Sequence, residues 1–263
     1  KELSFAAVDV IIVRMENRGI FAGKRAVVFD MDGTLIDSVG IWNEVDRVLI
    51  SAIRTDGGEA EPEGEIRARR EEKLRLYGKS PDPYRAYCAC LKERYCARES
   101  AEEIYRMRCR LSREYLKDRI SYKPGAPEFL RGLKARGFLL GIASATRREN
   151  MAVYRTENEN IRGAANPDDF FSVILTREDA AEMKPSPEIY QKAAAALGVP
   201  SSACLAFEDS LAGVQSAKGA GMEVAVVYDR YSDGERMEIE ALSDVSFADF
   251  FGALDALVKT LPL

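Results

Sequence analysis

Five short apolar runs, separated by stretches of helical periodicity, constrain the fold of this chain more than any other feature of its sequence. Continuous runs rich in β-branched residues are typical of central strands in a parallel sheet covered on both faces. Strands that alternate with helices indicate a doubly wound, Rossmann-like α/β sheet. The predicted strands are 26–29, 138–143, 172–175, 203–207 and 224–228, and the predicted helices are 127–136, 147–157, 187–197 and 211–219.

A long stretch after the first predicted strand interrupts this alternation, because its periodicity is helical throughout. Within it, Ser100 and Glu103 form a capping-box pattern at the start of a helix. The stretch has about 80 residues, which is too many for an ordinary loop in an α/β domain. The predicted domains are an α/β core at 25–37 and 123–263 and an inserted α-helical cap domain at 38–122. Residues 1–24 form an N-terminal segment of open role, and the apolar run 5–13 within it suits a strand or a short helix.

Histidine is absent from the 263 residues, and this absence excludes several kinds of active site. A Ser-His-Asp or Cys-His nucleophile, a His-ligated zinc site and an imidazole base all need that side chain. The net charge of −5 argues against a nucleic-acid partner, and no apolar run approaches the ~20 residues of a membrane span. Chemistry in this chain therefore depends on carboxylates, lysine, hydroxyls, thiols or a metal held by oxygen.

The five cysteines favour reduced thiols in a cytoplasmic protein, since their number is odd and no C-x-x-C pair occurs. Four of them, at positions 88, 90, 96 and 109, fall in the insert, so a thiolate zinc site is an alternative. The spacing of Cys88 and Cys90 opposes that alternative, because residues two apart on a helix do not face each other. We expect buried or idle thiols.

Carboxylates follow two of the predicted strands directly. Asp30 and Asp32 come after the first strand, where Gly33 allows a tight turn, and Glu208 and Asp209 come after the fourth. Ligands bind beyond the carboxyl ends of strands in open α/β sheets. Acidic groups crowded there repel one another unless a cation intervenes, and oxygen-only ligands suit Mg²⁺. The structural alternatives are turn formation by the first pair and helix capping by the second.

Two further strand ends carry groups that can bind an anion. Ser144 follows the second strand, where it and backbone N–H groups precede a helix. Lys184 lies in a Lys-Pro-Ser-Pro segment, with Pro187 at a plausible first-turn position of the next helix. Taken singly, such a serine is usually a helix N-cap and such a lysine is usually solvated. The prediction of an anion site depends on all four features occurring together.

In this order, the four segments resemble the motifs of the haloacid dehalogenase superfamily of phosphotransferases. The resemblance covers about residues 25–257, and the helical insert is similar to the cap of the phosphoglycolate phosphatase and β-phosphoglucomutase branch. The first and fourth motifs together are highly specific, whereas the other two are informative only in this order. The matching segments are 30–34, Ser144, 184–187, and Glu208-Asp209 with the trailing 213–214 and 220–222.

The resemblance implies a Mg²⁺-dependent phosphatase that hydrolyses a small phosphorylated substrate, a monoester, through an aspartyl-phosphate. Asp30 would be the nucleophile, and Asp32 would protonate the leaving oxygen and then activate water. Asp32 would contribute only its main-chain carbonyl to the metal. The remaining implied roles are phosphate binding by Ser144 and Lys184, and Mg²⁺ binding by Asp30, Asp32 and Asp209 with Glu208 as a further ligand.

The insert would determine which substrate is accepted. β-Phosphoglucomutases carry a histidine in the first cap helix at a position that corresponds here to Trp42, so the resemblance favours a phosphatase over a phosphomutase. Trp42 would line the pocket or pack in the core. Lys79 and Arg85 are candidate specificity residues, and hinges near 36–38 and 121–124 would let the insert open and close. The charged run 67–73 is expected to be a solvated helix face.

Other functions remain as alternatives to the phosphatase. The first is a phosphomutase of the β-phosphoglucomutase type, which Trp42 at the position of the mutase histidine disfavours. A metal-independent dehalogenase shares the nucleophile, but Asp32 and Asp209 argue against it. A phospho-accepting signalling receiver would lack the helical insert, and a catalytically inactive binding protein would have lost motif residues. Monomers and homodimers are both compatible with the sequence.

Overall fold

The computed structural model describes residues 19–78, 80 and 82–262, which form a six-stranded parallel sheet surrounded by helices. The strands are β1 (Ala26–Phe29), β2 (Leu139–Ala143), β3 (Val173–Leu175), β4 (Cys204–Glu208), β5 (Glu223–Val227) and β6 (Val245–Phe247). Their order across the sheet is β3-β2-β1-β4-β5-β6. The order reverses at β1, and open α/β sheets bind ligands at such a switch point, beyond the carboxyl ends of the strands.

The register of the central strands determines which residues meet at that edge. Phe29, the last residue of β1, lies opposite Ile142 on β2 and Phe207 on β4. Because the three strands are parallel and in this register, the residues that follow them emerge side by side. Asp30 and Glu208 are therefore neighbours at the carboxyl edge of the sheet.

The described residues contain twelve α-helices, and the first four of them lie within residues 38–122. These four are α1 (Val39–Ile53), α2 (Glu63–Leu76), α3 (Pro83–Arg94) and α4 (Ala101–Asp118). The others are α5 (Ala126–Ala135), α6 (Arg148–Thr156), α7 (Glu159–Ala165), α8 (Pro167–Phe170), α9 (Glu188–Leu197), α10 (Leu211–Gly219), α11 (Arg236–Leu242) and α12 (Phe250–Thr260). No helix in this part of the chain combines the length and apolarity that crossing a bilayer requires.

Alternate residues of β1 supply the two apolar layers that cover the sheet. Val27 and Phe29 belong to one cluster of buried residues, and Ala26 and Val28 belong to another. This alternation follows from the period of two in a strand. Phe29 also stacks on Phe207, with ring centroids 5.2 Å apart. The central strand is thus buried on both faces, as its apolar sequence predicts.

The insert has an apolar cluster of its own, formed by residues of α1 to α4 and the segments between them. Leu49, Tyr87, Leu91 and Ile104 are among its fully buried members. The capping box predicted at α4 is present, since the Ser100 backbone N–H donates to Glu103 at 2.8 Å and the Glu103 N–H donates back at 3.2 Å. The assignment of residues 38–122 as a separate cap domain stays a prediction.

The structure differs from the sequence prediction at β6 and at Arg70, and it adds helices α7, α8, α11 and α12. The edge strand β6 was not predicted, because Val-Ser-Phe is too short to show a pattern. The expectation of a solvated face at 67–73 is wrong at Arg70, which is buried and lies 3.0 Å from Asp46. A buried arginine is stable there because a carboxylate on another helix pairs with it. The apolar run 5–13 lies outside the described residues.

Candidate active site

Three buried carboxylates meet at the carboxyl ends of β1 and β4. Asp30 follows β1, Glu208 ends β4 and Asp209 follows it. Their ligand oxygens lie within 4.8 Å of one another. In the part of the chain that the structure describes, no other three potential metal-ligating side chains converge in this way, and the cysteines there are free thiols.

Lys184 lies between two of these carboxylates. Its Nζ is 2.6 Å from Oδ1 of Asp30 and 2.6 Å from Oε1 of Glu208, and its side chain is only 9% exposed. Burial by itself lowers the pKa of the Lys184 ammonium, but the Coulombic attraction of both carboxylates outweighs it and raises that pKa. Lys184 is therefore held as a cation beside Asp30.

One lysine does not neutralise three carboxylates. Burial, with repulsion from Glu208 against the attraction of Lys184, raises the pKa of Asp30 to about 7. Burial, followed by repulsion from Glu208 and Asp30, raises the pKa of Asp209 well above its usual value. An excess of buried negative charge with oxygen-only donors fits a divalent cation such as Mg²⁺.

The side chain of Asp32 does not belong to this carboxylate cluster. Its Oδ1 accepts hydrogen bonds from the Ser38 hydroxyl at 2.5 Å and the Tyr154 hydroxyl at 2.9 Å, and its Oδ2 accepts one from Thr146. Burial raises the pKa of the Asp32 carboxyl, while the bonds from Ser38 and Tyr154 oppose that rise. The Asp32 side chain therefore lies outside the carboxylate cluster and is held by three hydroxyl groups.

Four of the six predicted site residues line a cavity of about 310 Å³, whereas Glu208 and Asp209 are not among its lining residues. Ser144 and Lys184 line it together with Asp30 and Asp32, and Trp42 closes it from α1. The Ser144 hydroxyl also accepts a hydrogen bond from the Thr146 backbone N–H at 3.1 Å, but Ser144 is not the N-cap of the following helix, which is Arg147. Trp42 both lines the cavity and packs against the main apolar cluster. The remaining lining residues are Tyr84, Ala145, Thr146, Arg147, Asn150, Met183, Ser210 and Ala212.

All four motif segments stand at one edge of the sheet, and the sequence profile of the haloacid dehalogenase-like hydrolases matches residues 24–221, which contain them. The chain belongs to this family.

Individual members of the haloacid dehalogenase-like family resemble the chain over different lengths. Protein CbbY of Rhodobacter capsulatus is 35% identical over 140 residues, which are 53% of this chain and 58% of CbbY, so the chain spans less than two thirds of that relative. Hexitol phosphatase B of Escherichia coli (strain K12) is 27% identical over 207 residues, covering 77% of this chain and 82% of the relative. The solved structure of CbbY from Rhodobacter sphaeroides in complex with phosphate covers 86% of this chain and 95% of its own, with a TM-score of 0.64 at 24% identity.

Three buried hydroxyl groups of this haloacid dehalogenase-like site were not assigned a role from the sequence. Thr34 donates to Oδ1 of Asp209 at 2.6 Å, Tyr190 donates to Oε1 of Glu208 at 2.7 Å, and Tyr154 donates to Asp32. Thr34 lies within the first motif, so its position in the sequence could have indicated a role in the site. The tyrosines occupy the apolar faces of α6 and α9, where the sequence predicts only packing.

Arg85, one of the two candidate specificity residues, does not line the cavity. Lys79 lies outside the described residues. Arg85 contacts Glu102, and its guanidinium lies 4.2 Å from the centre of the Tyr105 ring, away from the residues that line the site. Arg147, which follows the Ser144 turn, lines the cavity instead.

Gly213 permits the close approach of α10 to Glu208. A Cβ at this position would overlap the Glu208 carboxylate. We expect Gly213→Ala to displace Glu208 and to lower stability by about 1–3 kcal/mol, the usual effect of overpacking. The measurement is urea unfolding, with Gly219→Ala as the control, since its Cβ would meet Pro187 only at an ordinary 3.4 Å. Equal stability losses in the two variants would contradict the role given to Gly213.

Proposed function

We propose that this protein is a Mg²⁺-dependent phosphatase that hydrolyses a small phosphate monoester through an aspartyl-phosphate on Asp30. The observation that carries the proposal is the buried cluster of Asp30, Glu208 and Asp209, with Lys184 at 2.6 Å from Asp30 and the side chain of Asp32 held outside the cluster. The name of hexitol phosphatase B and the phosphate bound to CbbY support the same chemistry.

The two aspartates divide the chemistry between them. A carboxylate oxygen of Asp30 attacks phosphorus in line, the bond from phosphorus to the ester oxygen breaks, and Asp32 gives its proton to that oxygen. Asp32, now a carboxylate, takes a proton from water, which attacks the aspartyl-phosphate and releases Asp30 with inorganic phosphate. Ser38 and Tyr154 keep the Asp32 carboxyl in place through both steps.

The metal would be held by Asp30, Asp209 and the main-chain carbonyl of Asp32. When bound, Mg²⁺ screens the nucleophile from the negative phosphate and polarises the phosphate oxygens. Glu208 would be a further ligand, and its Oε1 also accepts hydrogen bonds from Lys184 and Tyr190. Thr34 orients Asp209 from the opposite side.

Lys184 and Ser144 would bind the oxygens of the phosphoryl group. Both line the cavity, and the ammonium of Lys184 is adjacent to the attacking carboxylate. Fixed donors around the phosphoryl group supply most of the catalysis in phosphoryl transfer, because the transition state concentrates charge on these oxygens.

The insert acts as a cap over this cavity. Trp42 of α1 and Tyr84 of α3 line it from the insert side. The two connections between insert and core run side by side, since the Asp37 backbone N–H donates to the Ser121 carbonyl at 3.1 Å. A bend at these two segments would open the cavity for substrate and close it against water. Trp42 stands at the position of the mutase histidine, and we therefore continue to favour a phosphatase over a phosphomutase. The cytoplasmic location and the oligomeric state stay predictions.

Hydrolysis of p-nitrophenyl phosphate tests this function directly. We expect turnover with Mg²⁺ to fall by about a hundredfold or more when EDTA is added, because removal of a charge-neutralising metal costs several kcal/mol. Excess Mg²⁺ added afterwards should restore the rate, which controls for damage by the chelator. Turnover that persists in EDTA would contradict the metal requirement.

A further inference from the structure

A second cavity, of about 390 Å³, adjoins the active-site cavity between α4 of the insert and α6 of the core. Both cavities share Tyr84, Arg147 and Asn150 as wall residues, so the two cavities lie side by side. The remaining residues that line it are Tyr105, Arg108, Cys109, Arg110, Ser112, Arg113, Glu149 and Val153.

The walls of this second cavity are strongly basic. Four arginines line it against the single carboxylate of Glu149. Arg113 pairs with Glu157 at 2.6 Å, and Arg147 lies 3.5 Å from Glu149 and 3.7 Å from Asp82. These partners neutralise part of the positive charge, but Arg108 and Arg110 remain in excess over the carboxylate in the walls.

Arg108 is the buried member of this group, with only 5% of its surface exposed. Its Nε donates to Asp46 at 2.8 Å, and its Nη2 has no hydrogen-bond partner among the described residues. Asp46 also accepts from Arg70 at 3.0 Å. Two buried guanidinium groups therefore share one carboxylate, and the unpaired donor carries a free-energy cost that an incoming anion would relieve.

The position of Arg108 connects this unpaired donor with the active site. Its guanidinium carbon lies 4.4 Å from the centre of the Tyr84 ring, and Tyr84 lines both cavities. Stacking on an aromatic face orients a guanidinium group without using its N–H donors. Among these donors, Nη2 is the one without a partner in the described part of the chain, and Arg108 lines the basic cavity.

We propose that this cavity binds a second anionic group, a carboxylate or a second phosphate, at the non-reacting end of the substrate. We call it the arginine subsite, formed by Arg108, Arg110, Arg113 and Arg147. The inference rests on the proposed phosphatase function and narrows its substrate to doubly anionic esters. Guanidinium groups suit this task because their fork of donors matches the two oxygens of a carboxylate or phosphate group.

Two matched pairs of esters test the subsite and distinguish the two anions. 3-Phosphoglycerate differs from glycerol 3-phosphate by a carboxylate in place of a hydroxymethyl group, and fructose 1,6-bisphosphate differs from fructose 6-phosphate by a second phosphate. We expect kcat/KM to be about ten- to a hundredfold higher for the doubly anionic member of at least one pair, the range of a charge-assisted hydrogen bond. No preference in either pair would overturn the proposal.

Substitution of Arg108 tests whether the arginine subsite causes the preference for the doubly anionic ester. Arg108→Met should reduce the kcat/KM ratio within the preferred pair by about tenfold or more, and Arg108→Lys should retain part of it. Asp46 keeps Arg70 as a partner in both variants, and thermal unfolding confirms that each is folded. The control is Arg106→Met on the same helix, whose side chain is 66% exposed and pairs with Glu102. If the kcat/KM ratio within the preferred pair is the same for Arg108→Met as for Arg106→Met, the proposal is overturned.

Binding without turnover separates the subsite from the proposed function. Calorimetric titration of the Asp30→Asn protein with 3-phosphoglycerate, glycerol 3-phosphate and both fructose phosphates should show tighter binding of the doubly anionic member, and Arg108→Met in that background should remove the difference. If every ester binds but none is hydrolysed by the unsubstituted protein, the phosphatase proposal fails and the subsite stands. Equal affinities within both pairs would reject the subsite, whatever the activity.

Discussion

Replacement of Asp30 by asparagine should lower the rate of phosphate ester hydrolysis by about 10⁴-fold or more, as is usual when a nucleophile is removed. The amide keeps the size of the side chain but cannot attack phosphorus or bind a metal as a carboxylate does. The initial rate with p-nitrophenyl phosphate measures this loss. Acid quenching of the unsubstituted enzyme with a radiolabelled ester should in addition trap a labelled acyl phosphate that Asp30→Asn does not form.

The matched control for this substitution is Asp118→Asn at the end of α4, where the residue is exposed. It makes the same chemical change far from the carboxylate cluster and should leave hydrolysis unchanged. Substantial turnover by Asp30→Asn, or label trapped on that variant, would show that another group is the nucleophile.

Replacement of Asp32 by asparagine should produce a different kinetic defect, with a loss of about 10²- to 10⁴-fold for alkyl phosphates. Alkoxide leaving groups need the proton that Asp32 supplies, whereas p-nitrophenolate leaves readily as an anion. Attack on p-nitrophenyl phosphate should therefore continue in the variant, while hydrolysis of the aspartyl-phosphate, which needs a base, becomes slow. The expected result is a burst of p-nitrophenol in proportion to the enzyme, followed by slow turnover.

Stopped-flow absorbance measures this burst, and the Asp30→Asn variant, which should show none, is its control. An Asp32→Asn enzyme that hydrolyses alkyl phosphates at the rate of the unsubstituted protein would contradict the acid role. The three donors to Asp32 make the prediction specific, because an asparagine at this position keeps an acceptor for Ser38 and Tyr154 and should preserve the fold.

The positions of Asp30 and Asp209 were predictable because each follows a continuous apolar run. Such runs indicate buried parallel strands, and the carboxyl ends of parallel strands lie at one edge of the sheet. The structure places Ser144 and Lys184 at the same edge, as their place after predicted strands suggests. The location of a polar residue at the end of a strongly patterned strand can therefore be predicted from the sequence.

The partners of these carboxylates were not predictable in the same way. Tyr190 and Tyr154 occupy apolar faces of helices, and their hydroxyl groups reach Glu208 and Asp32 only because α9 and α6 pack against the sheet at particular distances. Periodicity reports which face of a helix is buried, but it contains no information on where the tip of a long side chain ends.

Burial of charge was the least predictable feature. Arg70 and Arg108 lie in charged stretches that are usually solvated, and each is buried because Asp46, on a different helix, accepts its hydrogen bond. The basic cavity beside the active site depends on this pairing. Arg85, which a turn in the sequence favoured as a specificity residue, instead contacts Glu102.

The sequence by itself determined the class of sheet, the order of the four motifs and the use of carboxylates in a chain without histidine. These follow from local patterns, since strand burial and turn chemistry depend on neighbouring residues. Only the tertiary structure decided which hydroxyl groups hold Asp32 and Glu208, and that Arg108 is left with an unpaired donor next to the active site. Such contacts join helices far apart in the chain, and their formation depends on packing distances that no local pattern encodes.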